Sequence, residues 1–340
     1  MNTLLIIIII ICILSILSLS GGLTSLYFLL QDLYTNQVLD INNMIGAAMT
    51  SEIYADTPLS FPYPFYSDDT MLVIGTPIVK EARGPSTVYT WNTDTSSNQF
   101  SAFSASWSEG NDLPSPFYGS VSFLFINESS FHTFIDPDIM KCGSINKSNV
   151  EGQEGRYQFS NPFPDNSNII VIAGLNGSNF DKSSLASVRC YDVDSTGFNF
   201  IKTYASFMDQ SITYNFAITD FFSWIAINLD KYNQTNNSAI LQAGMCSNDT
   251  QFQDTFFFPR PFTTDQLVVV TTVNASGPGD ASTSSVVSVT VSEITKNSFV
   301  YTKKYAAQES GPQNLVSEPF FWLAIDPSKI KDLGNIFVSK

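Results

Sequence analysis

The 340-residue chain is 44% hydrophobic and 14% aromatic, with 28 Phe, so it can bury real cores and disorder is excluded as its main state. Only 14% of its residues are charged, and 31 Asp+Glu stand against 16 Lys+Arg, a formal net charge of −15. Such a field repels phosphate backbones and anionic headgroups, which disfavours nucleic-acid and peripheral membrane binding; the length allows two or three domains.

The first element is apolar. Leu4 to Leu17 reads LLIIIIIICILSIL and is followed by Ser18-Leu19-Ser20-Gly21-Gly22. An apolar core of this length before small residues predicts a signal peptide over 1–20, cut after Ser20. The alternative is an uncleaved anchor, because the apolar stretch runs on through Leu30, long enough to span a bilayer. Either reading exports the rest of the chain, as a secreted protein or one anchored at the cell surface. Seven sequons fit export and mark candidate glycosylation sites: Asn127, Asn146, Asn176, Asn233, Asn236, Asn248 and Asn274.

A helical segment is expected over 21–56. Its apolar positions 23, 27, 30, 34, 41, 44 and 48 alternate steps of four and three, a heptad-like seam. Two uses remain open: a short coiled coil giving dimers or trimers, or an amphipathic helix laid on the unit that follows.

Beyond it the chain repeats. Pro-Phe pairs at Pro64-Phe65, Pro162-Phe163 and Pro261-Phe262 recur every 98–99 residues. Each precedes an apolar run rich in branched residues: Met71 to Ile74, Ile169 to Ile172 and Leu267 to Val270. Such runs, bounded by turn formers, predict buried strands. Val188 to Phe200 parallels Val289 to Tyr301, each a strand–turn–strand. Phe221 to Ile227 (FFSWIAI) parallels Phe320 to Ile325 (FFWLAI), and Val121 to Ile126 closes the first unit more loosely. The alternation Phe198-Asn199-Phe200-Ile201-Lys202 predicts a sheet wet on one face. The expected organisation is therefore all-β: antiparallel sandwich repeats at 57–130, 157–230 and 254–330. Polar linkers over 131–156 and 231–253 separate them, and 331–340 is a tail.

The order F-x-x-P-F, a Val/Ile-rich strand, V-x-x-T-G-F and a closing W-I-A resembles the H-type lectin domains of snail agglutinins and of discoidin C-termini. The second repeat matches best, through Phe159, Pro162-Phe163, Ile169 to Ile172, Thr196-Gly197-Phe198 and Trp224-Ile225-Ala226. The third keeps Phe258, Pro261-Phe262, Phe299 and Trp322-Leu323-Ala324 with Ser298 at the turn glycine, and the first keeps Phe61, Pro64-Phe65 and Phe100. The resemblance implies six-stranded antiparallel sandwiches gathered about a threefold axis, here as three copies in one chain or as a trimer of chains. It implies glycan or glycoprotein partners and a role in adhesion, with galactose or N-acetylgalactosamine held between subunits by Arg, Asp, His and an aromatic ring. The position matching the family's sugar-binding Arg is Leu185 in the second repeat, with Thr87 and Val286 in the others. The nearest candidates are Arg189 and Asp192, with Phe207 as the aromatic. The alternative is an extracellular scaffold or appendage subunit using the fold without sugar.

The residues argue against catalysis. A single histidine, His132, argues against a His-dependent triad and a multi-His metal site. No nucleophile elbow, P-loop or dinucleotide motif sits in a strand–turn–helix context. No cofactor is expected. Calcium is not indicated, although Asp68-Asp69, Asp136-Pro137-Asp138, Asp192-Val193-Asp194 and Asp326 are acidic, because none approaches an EF-hand loop. For the cysteines the expectation is a Cys142–Cys246 disulfide clamping the second repeat, with Cys190 a buried thiol and an intermolecular bond as the alternative.

Overall fold

Continuous runs of Val, Ile and Leu suit strands covered on both faces, because neither face then meets water. In the computed structural model this is what the three runs become: Met71–Ile78 (β3), Ile169–Asn176 (β10) and Val268–Asn274 (β17). The structure describes residues 44–50, 57–60, 70–79, 86–91, 99–106, 115–116, 120–145, 154–176, 184–208, 211–213, 221–235, 240–247, 253–274, 286–307, 311–313 and 318–332. The signal or anchor segment and 21–43 of the expected helix lie outside them. Among the described residues no helix is long and apolar enough to cross a membrane.

The protein is all-β. The described strands fall into three sets of seven in chain order. The first comprises Ile45–Thr50 (β1), Thr57–Ser60 (β2), β3, Ser86–Trp91 (β4), Gln99–Ser106 (β5), Ser115–Pro116 (β6) and Ser120–Asn127 (β7). The second comprises Met140–Ile145 (β8), Glu154–Gln158 (β9), β10, Ser184–Asp194 (β11), Gly197–Met208 (β12), Ser211–Thr213 (β13) and Phe221–Asn228 (β14). The third comprises Leu241–Cys246 (β15), Gln253–Phe257 (β16), β17, Val286–Ser292 (β18), Ser298–Ala307 (β19), Gly311–Gln313 (β20) and Phe320–Ile325 (β21).

Two expectations need correcting. The stretches 131–156 and 231–253 are not linkers, since they hold β8 and β15, the opening strand of each later set. Residues Ile45–Thr50 are strand, so the helix expected over 21–56 does not reach them. The heptad-like positions 44 and 48 belong to that edge: Met44 is buried, and Ala48 lies opposite Phe123.

The sheets are shared between sets. One runs β1-β7-β3-β18-β19-β16, with β20 on β19, and so joins the first set to the third. Another runs β2-β5-β4-β10-β14-β8, with β6 on β5, joining the first to the second. The last runs β13-β12-β11-β17-β21-β15, with β9 on β12, joining the second to the third. Pairing inside a set is antiparallel throughout, and the three joins are parallel. They are short: Thr90 with Asn176, Ile78 with Val291, and Arg189-Cys190 with Val273-Asn274. Each set thus gives one half-sheet to each neighbour, and the three close into a ring.

Alternate residues of the two-sided strands feed different cores. Leu72 and Ile74, Ile170 and Ile172, and Val268 and Val270 meet in one shared core with Leu124, Ile225 and Leu323 of the closing strands. The intervening positions turn outward into each set's own sandwich, as Val269 does beside Phe258, Phe299 and Trp322. Full burial of each such side chain contributes about 1.5–3 kcal/mol over exposure, so the ring centre is a major source of stability. Hydroxyls supply the polar links where the sets meet. Thr76 Oγ1 accepts from Thr271 N at 2.9 Å, and Thr272 Oγ1 accepts from Ala173 N at 2.7 Å.

The motif residues are the aromatic frame of the outer cores. Phe159, Phe163, Phe198 and Trp224 interlock with centroids 5.3–5.9 Å apart. Phe258, Phe262, Phe299 and Trp322 repeat the arrangement. Gly143 on β8 and Gly244 on β15 lie opposite these tryptophans, and a Cβ there would come within 3.0 and 3.1 Å of indole Cζ2. A capping residue ends the first two closing strands and follows the third. Asn127 Oδ1 accepts from Ser130 N to start Glu128–Phe134 (α1), Asn228 Oδ1 from Lys231 N to start Leu229–Thr235 (α2), and Asp326 Oδ1 from Ser328 N at the 3-10 turn Pro327–Asp332.

Candidate functional site

Arg189 is not a solvent-facing ligand contact. It lies on β11 at the join with β17, only 1% of its side chain is exposed, and Nη1 pairs with Glu318 Oε1 at 3.3 Å. Burial lowers its pKa, and the Glu318 carboxylate works against that shift. Glu318 also accepts from the buried Lys303 Nζ through its backbone carbonyl at 3.2 Å. The alternation read as a wet face therefore fails at this level, because Ile201, in line with Asn199 and paired with Arg189, is buried as well. A neighbouring set covers that face.

Asp192 is separated from Arg189 by a bulge in β11 and takes φ 46°. Its carboxylate accepts from Asn199 Nδ2 at 3.1 Å. Beside it Arg156, which no sequence pattern singled out, reaches Asp194 Oδ2 at 2.7 Å and Thr196 Oγ1 at 2.9 Å. Asp194 Oδ1 in turn accepts from Thr196 N and Gly197 N, so this cluster fastens the T-G-F turn rather than gathering a ligand. Glu293 and Thr295 hold the matching places in the third set, again with positive φ at Glu293 and the Thr295 hydroxyl accepting from Ser298 N. Phe207 lies opposite Ile212 on β12, and its side chain is outside the described residues, as are those of Leu185, Thr87 and Val286.

The described acidic loops are engaged by protein donors. Asp136 Oδ1 accepts from Asp138 N, and Asp326 accepts from Ser328 and Thr263. Among the described residues no group of three or more His, Cys, Asp or Glu could hold a metal ion; Asp68-Asp69 lies outside them. The expected disulfide is overturned: Cys142 and Cys246 are free thiols in different cores, one in the shared centre and the other in the third sandwich. Cys190 is a buried thiol, its pKa pushed up by burial.

Of the sequon asparagines, Asn127 and Asn176 are buried with their amides committed, Asn127 to its cap and Asn176 to Ser223 Oγ. Asn233 is exposed on α2, and Asn274 is half-buried. Asn146, Asn236 and Asn248 lie outside the described residues.

A cavity of about 310 Å³ opens on the second set between α1, β8, β9 and the loop after β9. Tyr157, Phe159 and Trp224 form its aromatic side, with Tyr157 and Trp224 centroids 4.9 Å apart. Glu128 and His132, one helical turn apart on α1 with Oε1 and Nε2 at 3.7 Å, stand on another side with Ser144 and Asn161. Lys141 is turned aside: its Nζ donates to the Pro137 carbonyl and sits 4.1 Å over the Phe163 ring. Burial lowers the Lys141 pKa, and Asp138 and Asp136 oppose that shift. Burial raises that of the Tyr157 phenol, helped by the Glu128 charge. Sequence reasoning missed this site because its residues come from separate segments, of which His132 and the stretch from Pro137 to Ser144 lay inside what read as a linker.

Comparison with family models, curated proteins and solved structures returns no match for this chain.

Proposed function

We propose that the protein is a secreted or surface-displayed glycan- or glycoprotein-binding adhesion protein, non-enzymatic, built from three H-type-lectin-like repeats closed into an intrachain pseudo-trimer. The observation that carries this reading is the coincidence of motif and topology. Residues matching the family's F-x-x-P-F, T-G-F and W-I-A elements fall at equivalent core positions of two sets, and the sets share sheets cyclically. A fold-level likeness speaks for architecture before activity. The test is a glycan array probed with the full chain from a secretory host. Specific binding to a set of related glycans supports the reading, and no binding to any glycan sinks it.

A second reading, the extracellular scaffold without sugar binding, is favoured by one specific observation. Arg189, the best candidate for a family-type contact, is sealed at a join by Glu318 instead of facing a cleft. Under that reading the joins exist to rigidify, and the array stays blank.

A further inference from the structure

We propose that the cavity beside α1 is a carbohydrate subsite that takes one neutral pyranose unit, a hexose or N-acetylhexosamine. This rests on the glycan-binding reading above and gives it a location distinct from the joins between sets.

Size and chemistry agree. About 310 Å³ lies at the small end of the range for small-molecule pockets, roughly 300–1,000 Å³, and suits a single sugar ring. A pyranose has an apolar C–H face and a rim of hydroxyls that both donate and accept. The cavity offers the complement: rings of Tyr157 and Trp224 on one side, and the polar groups of Glu128, His132, Ser144 and Asn161 around it. Trp224 Nε1 is buried without a hydrogen-bond partner, and the indole edge that carries it lies against Gly143, itself part of the wall. The site disfavours an anion, because Lys141 is already held by Pro137 and Phe163 while Glu128 is acidic.

The third set supplies an internal comparison. It keeps the frame, with Gly244 under Trp322, Phe256 in place of Tyr157, and the same unpartnered indole nitrogen. The unpartnered nitrogen is thus a property of the frame, and two of the polar groups beside it are what the third set lacks. Glu128 is matched by Leu229, Ser144 by Met245, and Lys141 by Gln242, whose amide ties down the following loop by donating to Arg260 O at 2.7 Å and accepting from Arg260 N at 3.1 Å. Since the third set folds with Leu229 and Met245 in their places, the polar groups of Glu128 and Ser144 are not demanded by the fold.

Saturation-transfer NMR on the full chain tests this, using the methyl glycosides of galactose, glucose and mannose and of their 2-acetamido counterparts at millimolar concentration. At least one neutral glycoside should receive saturation, while methyl glycosides of glucuronic and N-acetylneuraminic acid receive none. Ser144→Met, which copies the third set, should weaken binding about tenfold or more while leaving the melting temperature in place, and Glu128→Gln should weaken it as well. A glycoside, or any glycan found on the array, that binds Ser144→Met and Tyr157→Ala as tightly as the unaltered chain overturns the subsite and leaves the glycan reading standing. Silence from every sugar in both NMR and array overturns both.

Discussion

Arg189 and Glu318 meet where the second and third sets of strands join, with Nη1 and Oε1 3.3 Å apart and 1% and 3% of their side chains exposed. They are 129 residues apart in sequence, so the pair reports on the ring rather than on either set alone. A buried pair of this kind adds little net stability over an apolar replacement, but losing one partner strands a charge. Glu318→Ala should therefore cost about 3–5 kcal/mol, whereas Arg189→Met with Glu318→Leu should restore most of it. Urea titration of both variants beside the unaltered chain checks this, and a double variant no more stable than Glu318→Ala would contradict it.

The glycines beneath the tryptophans set a second test. Gly143→Ala and Gly244→Ala each push a methyl group to 3.0–3.1 Å from an indole carbon, and overpacking of this sort costs about 1–3 kcal/mol. Both variants should melt earlier. Gly174→Ala should be worse, because its Cβ would come within 2.8 Å of the Ile74 backbone at the ring centre, where nothing flexible can yield.

Burial of the sequon asparagines predicts which of them carry glycan. Asn127 and Asn176 have buried, bonded amides, so an attached glycan would be incompatible with the native packing. Peptide mass spectrometry of chain made in a glycosylating host should find Asn233 modified and these two bare. Asn127→Ala should lower stability by about 0.5–2 kcal/mol, as the loss of a helix cap.

Acid should loosen the T-G-F turn. Burial works to raise the Asp194 pKa, but hydrogen bonds from Thr196 and the Arg156 charge outweigh it and the net shift is downward. The unfolded chain then binds the proton first, so stability rises with pH across this range. The contribution is complete above the ordinary carboxylate value of about 4 and is lost as pH falls through the lowered folded value. With 53% of the side chain exposed, solvent screening keeps it to about 0.2–1 kcal/mol. Asp194→Asn should flatten the stability profile below about pH 4, measured by urea midpoints.

Free thiols give the last prediction. Reductant should leave the melting temperature unchanged, and non-reducing peptide maps should contain no Cys142–Cys246 link, since the two sit in separate cores.

The repeat and its aromatic frame were legible because burial leaves a period: the Pro-Phe pairs, branched runs and tryptophans occupy fixed core sites. The opening strands β8 and β15 were not. MKCGSI and LQAGMC carry small and polar residues where a tryptophan needs room, and so lack the branched, aromatic composition that signals a strand. The joins left no trace either, because one or two parallel pairs between distant residues have no local pattern. That silence hid the covering of Arg189, which read as a residue of a wet face. The cavity was illegible for a related reason: Glu128, Ser144, Tyr157 and Trp224 converge only after the strands between them have paired.

The cyclic sharing of sheets bears on how the chain comes off the ribosome. The hydroxyl of Thr76 receives its partner, the Thr271 amide, from 195 residues further along, and β3 meets β18 only after most of the third set exists. Until then the strand Met71–Ile78 waits with its edge and its inward apolar face uncovered, and contacts of this separation form slowly. Synthesis of the last hundred residues is then the step that makes the first hundred safe from aggregation, and a nascent chain stalled between the second and third sets should depend on chaperones in a way the finished ring does not.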